Sequence, residues 1–212
     1  MSLFLTGTDT GVGKTYTAAC LLRLLRATGL RCAGMKPICC GDRHDAELLL
    51  AASSEGLSID EVNPVWLKTP ASPLSAALIE DAPIDMQVLL AGLRDLRQRF
   101  DFVVVEGVGG WLVPIREDYF VSNLAAEMEL PVLVVAMNRL GCLNHTMLTV
   151  RSIAAHGMAC LGVALNPGGG LVDIASNTNR EILSKIIDVP ILSGLTSDSP
   201  ELPLEWQQVL GV

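Results

Sequence analysis

The chain has 212 residues, half of them apolar and only 4% aromatic, and carries a formal net charge of −8. That length suits one sizeable core of Leu, Val, Ala and Ile, and the acidic balance argues against non-specific binding to nucleic acid or anionic lipid. No apolar run approaches the ~20 residues of a membrane-spanning helix and no signal-type segment opens the chain, so the reading is one soluble, cytoplasmic domain acting on small ligands.

Leu3 to Leu5 reads as a buried strand and delivers the glycine-rich stretch Gly7-Thr8-Asp9-Thr10-Gly11-Val12-Gly13-Lys14-Thr15. A strand before such a stretch and a helical pattern after it mark a phosphate-binding loop. Gly11 and Gly13 let successive backbone N–H groups turn toward one anion, Lys14 adds a positive charge against the outer phosphates, and the Thr15 hydroxyl is placed for magnesium. Five residues separate Gly7 from Gly13, one more than in the general pattern, so the loop is a longer variant.

Ala18, Leu21, Leu22 and Leu25 then recur at helical spacing, and Gly29 ends that helix. Leu30 to Met35 reads as a second strand that brings Lys36 to the edge where open α/β sheets bind ligands. Lys36 is either a site residue or a solvated lysine at a strand end. A loop from Ile38 to His44 leads into a helix beginning near Asp45, which is a site carboxylate or merely a cap. Between Ser53 and Pro83 prolines break the pattern, and short helices and loops are expected.

Asp85 caps a clearer helix with Met86, Leu89, Leu90, Leu93 and Leu96 inward, and Asp101 to Val105 forms a buried strand ending in Glu106. A carboxylate there faces the phosphate loop, and carboxylates are seldom buried without a partner. Pro131 to Asn138 is an all-apolar strand. Leu140 to His145 turns into a helix whose inward face is read as Leu143, Met147, Val150 and Ala154. Ala159 to Leu165 is a further strand running to Asn166, Pro167 and the glycines Gly168 to Gly170, and a helix carries Ile182, Leu183, Ile186 and Ile187. The tail from Ser193 ends in a short helix around Leu204 to Leu210. Alternating strands and helices give an α/β, three-layer, P-loop NTPase-type fold with a mainly parallel sheet covered on both faces. The six cysteines have neither zinc spacing nor disulfide density, and the histidines lack metal-ligand partners at useful spacing.

Four separated motifs together resemble the dethiobiotin synthetase family. They are Gly7 to Thr15, Gly34-Met35-Lys36-Pro37, Val105-Glu106-Gly107-Val108-Gly109-Gly110-Trp111, and Leu140-Gly141-Cys142-Leu143-Asn144-His145. The resemblance implies that ATP, magnesium, CO2 and 7,8-diaminononanoate give dethiobiotin, ADP and phosphate. A carbamate of the substrate would attack the γ-phosphate, and the second amine would close the ring on the mixed anhydride. It also implies site roles. Asp9, Thr10, Gly11, Val12, Gly13, Lys14 and Thr15 with Asn166 bind the nucleotide; Lys36, Lys14 and Thr10 serve the chemistry; and Thr15, Asp45 and Glu106 hold magnesium. Lys36, Cys40, Gly109 and the segment Gly141, Cys142, Leu143 and Asn144 receive the substrate. The last segment comes from the other subunit in the family, which implies a homodimer. Cys40 stands where the family often has serine, and a thiol of lowered pKa is expected beside the Lys36 charge. Two other readings share the fold: a partition-type or septum-positioning nucleotide switch, and a cobyrinate-type amidotransferase synthetase.

Overall fold

The computed structural model describes residues 1–167 and 174–212; the glycine run Gly168–Gly170 lies outside the described residues. In chain order the elements are β1 (Ser2–Gly7), α1 (Lys14–Ala27), β2 (Cys32–Met35), β3 (Ile38–Cys40), α2 (His44–Ala52), α3 (Ile59–Val62), β4 (Val65–Leu67), α4 (Pro73–Glu80) and α5 (Met86–Arg99). There follow β5 (Phe102–Gly110), β6 (Pro114–Arg116), β7 (Tyr119–Phe120), α6 (Val121–Glu127), β8 (Val132–Asn138), α7 (Cys142–Ala155), β9 (Cys160–Pro167), α8 (Ile174–Ile186), β10 (Ile191–Ser193) and α9 (Leu204–Leu210).

Six strands form one sheet in the order β10-β9-β8-β1-β5-β2, and every pairing in it is parallel. Successive side chains along each strand leave on opposite faces. Phe4, Val103, Val105, Val132 and Val134 accordingly pack with α5, α6, α7 and α8 in one core. Leu3, Leu5, Val104, Leu133 and Val135 pack with α1, α2 and α9 in the other. A strand buried on both faces has no polar side to show, which is why these runs read as continuous Val and Leu. β1 is central, so the loop after it emerges at mid-sheet, between the edges of β5 and β8.

Local rules explain the helix ends. The Asp85 carboxylate accepts the Gln87 N–H at 2.9 Å, as an N-cap should, and Gly29, at φ +92°, follows the end of α1. Asp45 is not the cap of α2; Arg43 takes that position and Asp45 lies within the first turn.

Several short elements correct the sequence reading. Ile38–Cys40, expected as loop, is a strand pairing in parallel with Val65–Leu67, and β10 and the β6/β7 hairpin were not anticipated. Strands of two or three residues are too short for any hydrophobic period to register. On α7 the fully buried side chains are Cys142, Thr146, Thr149 and Ile153, one position off the expected face. Leu143 and Val150 are half-buried, Ala154 is exposed, and Leu140 and Leu148 are 80% and 62% exposed. Leu148 on α7 and Leu140 just before the helix therefore face outward in the single chain. On α8 only Leu183 of the four expected residues is fully buried, while Ile182 and Ile186 are exposed.

Candidate active site

The phosphate loop closes on α1 through Gly13, which has φ +90° and whose added Cβ would lie 2.5 Å from Asn166 Nδ2. A side chain is excluded there by both conformation and space. Val12 is buried and anchors the loop to the core, and it is not among the residues that line the cleft. Lys14 is buried at the first position of α1, and its Nζ donates to the Asp9 carbonyl at 3.1 Å. Burial and the neighbouring Lys36 charge lower its pKa to about 8, against the opposing pull of Glu106, Asp45 and Asp9. Asp9 itself accepts the Thr10 N–H at 2.7 Å and faces Arg139 at 3.8 Å.

Beside the loop, β5 and β2 deliver a buried charge cluster. Lys36 Nζ lies 2.6 Å from Glu106 Oε1 and 2.8 Å from Asp45 Oδ2. Thr15 Oγ1 donates to the same Glu106 oxygen at 2.8 Å. Glu106 is fully buried and Lys36 nearly so, while the Asp45 side chain is 46% exposed. Burial alone would discharge Lys36, but the Glu106 and Asp45 charges and its hydrogen bonds to both carry its pKa above the ordinary lysine value. Burial would also raise Asp45; the Lys36 charge, hydrogen bonds from Lys36 and Thr15, and the Lys14 charge bring it below the ordinary carboxylate value. Lys36 is thus a member of an ion triad and not a solvated strand end.

These groups line an open cleft of about 710 Å³. Thr10, Gly11, Gly13, Lys14, Thr15, Lys36, Cys40, Asp45, Glu106 and Gly109 all border it. Its remaining wall is more apolar, with Ile38, Pro70, Ala71, Pro73, Val108 and Val113. Gly109 has φ +62°, and a Cβ there would meet Val113 at 2.8 Å. The sequence reading missed the wall from Pro70 to Pro73. Its signal was Ser72-Pro73, a capping residue followed by a proline in the first helical turn of α4.

Asn166 and the start of α7 are not among the residues that line the cleft. Asn166 Nδ2 donates to the Val12 carbonyl at 2.9 Å and lies 3.0 Å from Thr17 Oγ1, so its amide is engaged in tying β9 to the phosphate loop. Gly141 to Asn144 do not border the cleft; Cys142 is buried and its N–H donates to the Arg139 carbonyl at 3.1 Å.

Thr15, Asp45 and Glu106 offer a hydroxyl and two carboxylates, the hard oxygen donors that magnesium takes together with phosphate oxygens. Glu106 Oε2 is buried and has no hydrogen-bond partner, which leaves a lone pair aimed at no protein group. No group of three or more His, Cys, Asp or Glu able to hold a metal occurs among the described residues. The hydroxyl and two carboxylates fit a cation that also takes phosphate oxygens.

The family model described as AAA domain matches residues 1–200. A relative from Akkermansia muciniphila named ATP-dependent dethiobiotin synthetase BioD is 43% identical over 194 residues, covering 92% of this chain and 91% of its own. One of the same name from Aromatoleum aromaticum is 41% identical, covering 89% and 87%. The chain belongs to the dethiobiotin synthetase family. Among solved structures, the septum site-determining protein MinD with Mg-ADP from Pyrococcus horikoshii superposes with a TM-score of 0.58 at 17% identity, over 90% of this chain and 79% of that one. The signal recognition particle receptor FtsY from Elizabethkingia anophelis, in complex with GDP, gives 0.60 at 16%, over 98% and 62%. Those two likenesses are of the fold alone and confirm a P-loop NTPase architecture. The switch and amidotransferase readings gain no support from the close relatives.

Proposed function

We propose that this chain is a ligase that uses ATP and magnesium to join CO2 to 7,8-diaminononanoate and close the ring of dethiobiotin, releasing ADP and phosphate. The observation that carries this reading is the Lys36–Glu106–Asp45 triad, buried beside the phosphate loop of a chain whose relatives bear that name. Magnesium, when bound, would neutralise phosphate charge and orient the transferring group.

In this reading the loop N–H groups and Lys14 bind the triphosphate, and Thr15, Asp45 and Glu106 are the residues that would hold the metal. Lys36 lies where its ammonium can balance the negative charge of a carbamate as it attacks the γ-phosphate, and Thr10 borders the same space. The ammonium is already fixed by two carboxylates and so needs little reorganisation during the reaction. The apolar wall from Ile38 to Val113 keeps water from the carbamate and accepts the alkyl chain. Cys40 and Gly109 sit on that side.

The chain works as one catalytic domain and as a homodimer, with Gly141, Cys142, Leu143 and Asn144 of one subunit receiving the substrate's carboxylate at the other's cleft. The exposed Leu140 just before that segment and Leu148 beyond it support this, as does the segment's absence from the lining of the chain's own cleft. No described helix is long and apolar enough to cross a membrane, and the cytoplasm supplies the ATP. Phosphate release by the purified protein, with and without the diamine and bicarbonate, tests the reading. Turnover should depend on both; hydrolysis indifferent to the diamine would overturn it. Mixing Lys36→Met protein with Asn144→Ala protein should restore activity if the sites are shared, and leave none if they are not.

A further inference from the structure

Lys36 and Asp45 arrive on different elements, yet both are fastened to one short segment outside the cleft. The Lys36 N–H donates to the Val62 carbonyl at 2.7 Å, and the Lys36 carbonyl accepts from Asn63 Nδ2 at 2.9 Å. Asn63 is 1% exposed, and its Nδ2 also donates to the Val65 carbonyl at 2.8 Å. Its Oδ1 accepts from Nε of Arg43 at 3.0 Å, while Arg43 Nη2 donates to the Asn63 carbonyl at 2.8 Å. Arg43 stands two residues before Asp45, at the start of α2. Its guanidinium lies 5.0 Å above the Trp66 ring, and Trp66 Nε1 donates to the Gly41 carbonyl at 2.7 Å.

We propose that Arg43 and Asn63 are positioning residues that hold Lys36 and Asp45 at their working separation. The planar guanidinium meets Asn63 at two points, which fixes orientation as well as distance. The Asn63 amide can face only one way. Turned over, it would set its oxygen against two carbonyl oxygens and its NH2 against the guanidinium. The end of β2 and the start of α2 are therefore one mechanical unit, joined through a buried amide satisfied on every side. Neither residue borders the cleft, and the phosphate loop is built from β1 and α1 instead. Loss of the brace should thus misplace the reacting charges while leaving nucleotide capture alone.

This inference rests on the roles proposed for Lys36 and Asp45. The test measures kcat, KM for ATP and diamine, the affinity and stoichiometry of a non-hydrolysable ATP analogue, and the melting temperature. The variants are Arg43→Lys, which keeps the charge but loses the fork, and Asn63→Asp, which keeps the acceptor for Arg43 but loses the donor to Lys36. Asp60→Ala is the control, because Asp60 shares Arg43 Nη2 with the Asn63 carbonyl but reaches it from a side chain that is 82% exposed. Arg43→Lys should lose on the order of 10-fold or more in kcat per analogue-binding site, with analogue affinity within about 2-fold of the parent. Asp60→Ala should match the parent. A normal kcat in Arg43→Lys with only a lower melting temperature would overturn the proposal. Equal losses in kcat and analogue affinity, or an equal loss in Asp60→Ala, would overturn it as well. Should Asn63→Asp fail to fold, Arg43→Lys carries the decision. Lys36→Met separates the two levels: undiminished turnover in that variant sinks the underlying reading, whereas its loss beside a normal Arg43→Lys sinks only this inference.

Discussion

The two flanks of β1 hold the phosphate loop by different means. Toward β5 and β2 stand Glu106, Lys36 and Asp45, charged and mostly buried. Toward β8 and β9 the buried contacts are neutral, and the Asp9–Arg139 pair on that side, at 3.8 Å, is solvent-exposed. Asn166 ties the loop to β9, and Asn138, at the end of β8, accepts from Asn179 Nδ2 at 2.9 Å and donates to the Ser176 carbonyl at 2.9 Å. Buried amides satisfied on all sides brace a structure at little cost, whereas buried charges require partners and respond to any charge that arrives. One flank thus suits permanent bracing and the other suits charge in transit.

The largest expected effect comes from breaking the charged flank. Lys36→Met leaves Glu106 buried without its cation, and removing one member of a buried pair costs about 3–5 kcal/mol. Turnover should fall on the order of 10²–10³-fold, as when a preorganised electrostatic donor is lost, while ATP affinity stays near that of the parent. Magnesium should raise the melting temperature of this variant more than that of the parent, because a cation would then sit between the two carboxylates. Equal responses in the two proteins would argue that Asp45 and Glu106 do not form a cation site.

The neutral flank should respond in KM. Asn166→Ala deprives the Val12 carbonyl of its donor, which costs about 1–3 kcal/mol locally and loosens the loop. KM for ATP should rise on the order of 10-fold with kcat little changed. Inorganic tripolyphosphate sharpens the comparison. A brace that shapes the loop should weaken tripolyphosphate and ATP alike, whereas an amide that reads the adenine edge should weaken ATP alone.

How much of this could be read in the sequence follows the same division. Lys14, Lys36 and Glu106 were legible as candidates because Lys14 opens a strong helix, Lys36 follows a strand and Glu106 closes the apolar run of β5, and the parallel sheet brings them to one edge. The partner of Lys36 was not, because Asp45 reads equally well as a helix cap until the fold sets it 2.8 Å from the ammonium. The amides were least legible. Asn63, Asn138 and Asn179 act through side-chain contacts with segments distant in sequence or with irregular backbone, and neither leaves a period. The Pro70 to Pro73 wall escaped for a related reason, since prolines erase the pattern that would announce it.

A smaller effect separates Lys14 from Lys36 by pH. With its pKa near 8 in the free protein, Lys14 is mostly charged at pH 7 and mostly neutral at pH 9. Phosphate binding favours the charged form, so nucleotide affinity should fall as pH rises through about 8, by at most about 10-fold per unit, with proton uptake on binding. Unfolded lysine binds its proton up to about 10.5, so between about 8 and 10.5 the unfolded chain holds more protons and this group's share of stability rises with pH. Titration calorimetry in buffers of different ionisation enthalpy measures the uptake. Lys36, whose pKa is raised, should add no transition in that range, and Lys14→Ala should abolish the one expected.

The smallest effect is expected at Cys40, and it tests how far the charged flank reaches. The sequence suggested a reactive thiol beside Lys36. Burial and the Glu80 carboxylate instead push the Cys40 pKa up to about 11, against the pull of Lys36, whose charge is already spent on Glu106 and Asp45. Only on the order of one thiol in a few thousand is then ionised near pH 7.5, so alkylation should be slow and should quicken about 10-fold per pH unit toward 11. Cys40 borders the cleft, so ATP with diamine should slow that labelling further. Cys40→Ser should keep turnover within about 2-fold, because a hydroxyl of similar size fits the same half-buried place and no charge is gained or lost. Rapid labelling at neutral pH would show that Lys36 has charge to spare for its surroundings. That result would break the comparison, since a triad whose charges are mutually satisfied should leave a thiol this close in the strand undisturbed.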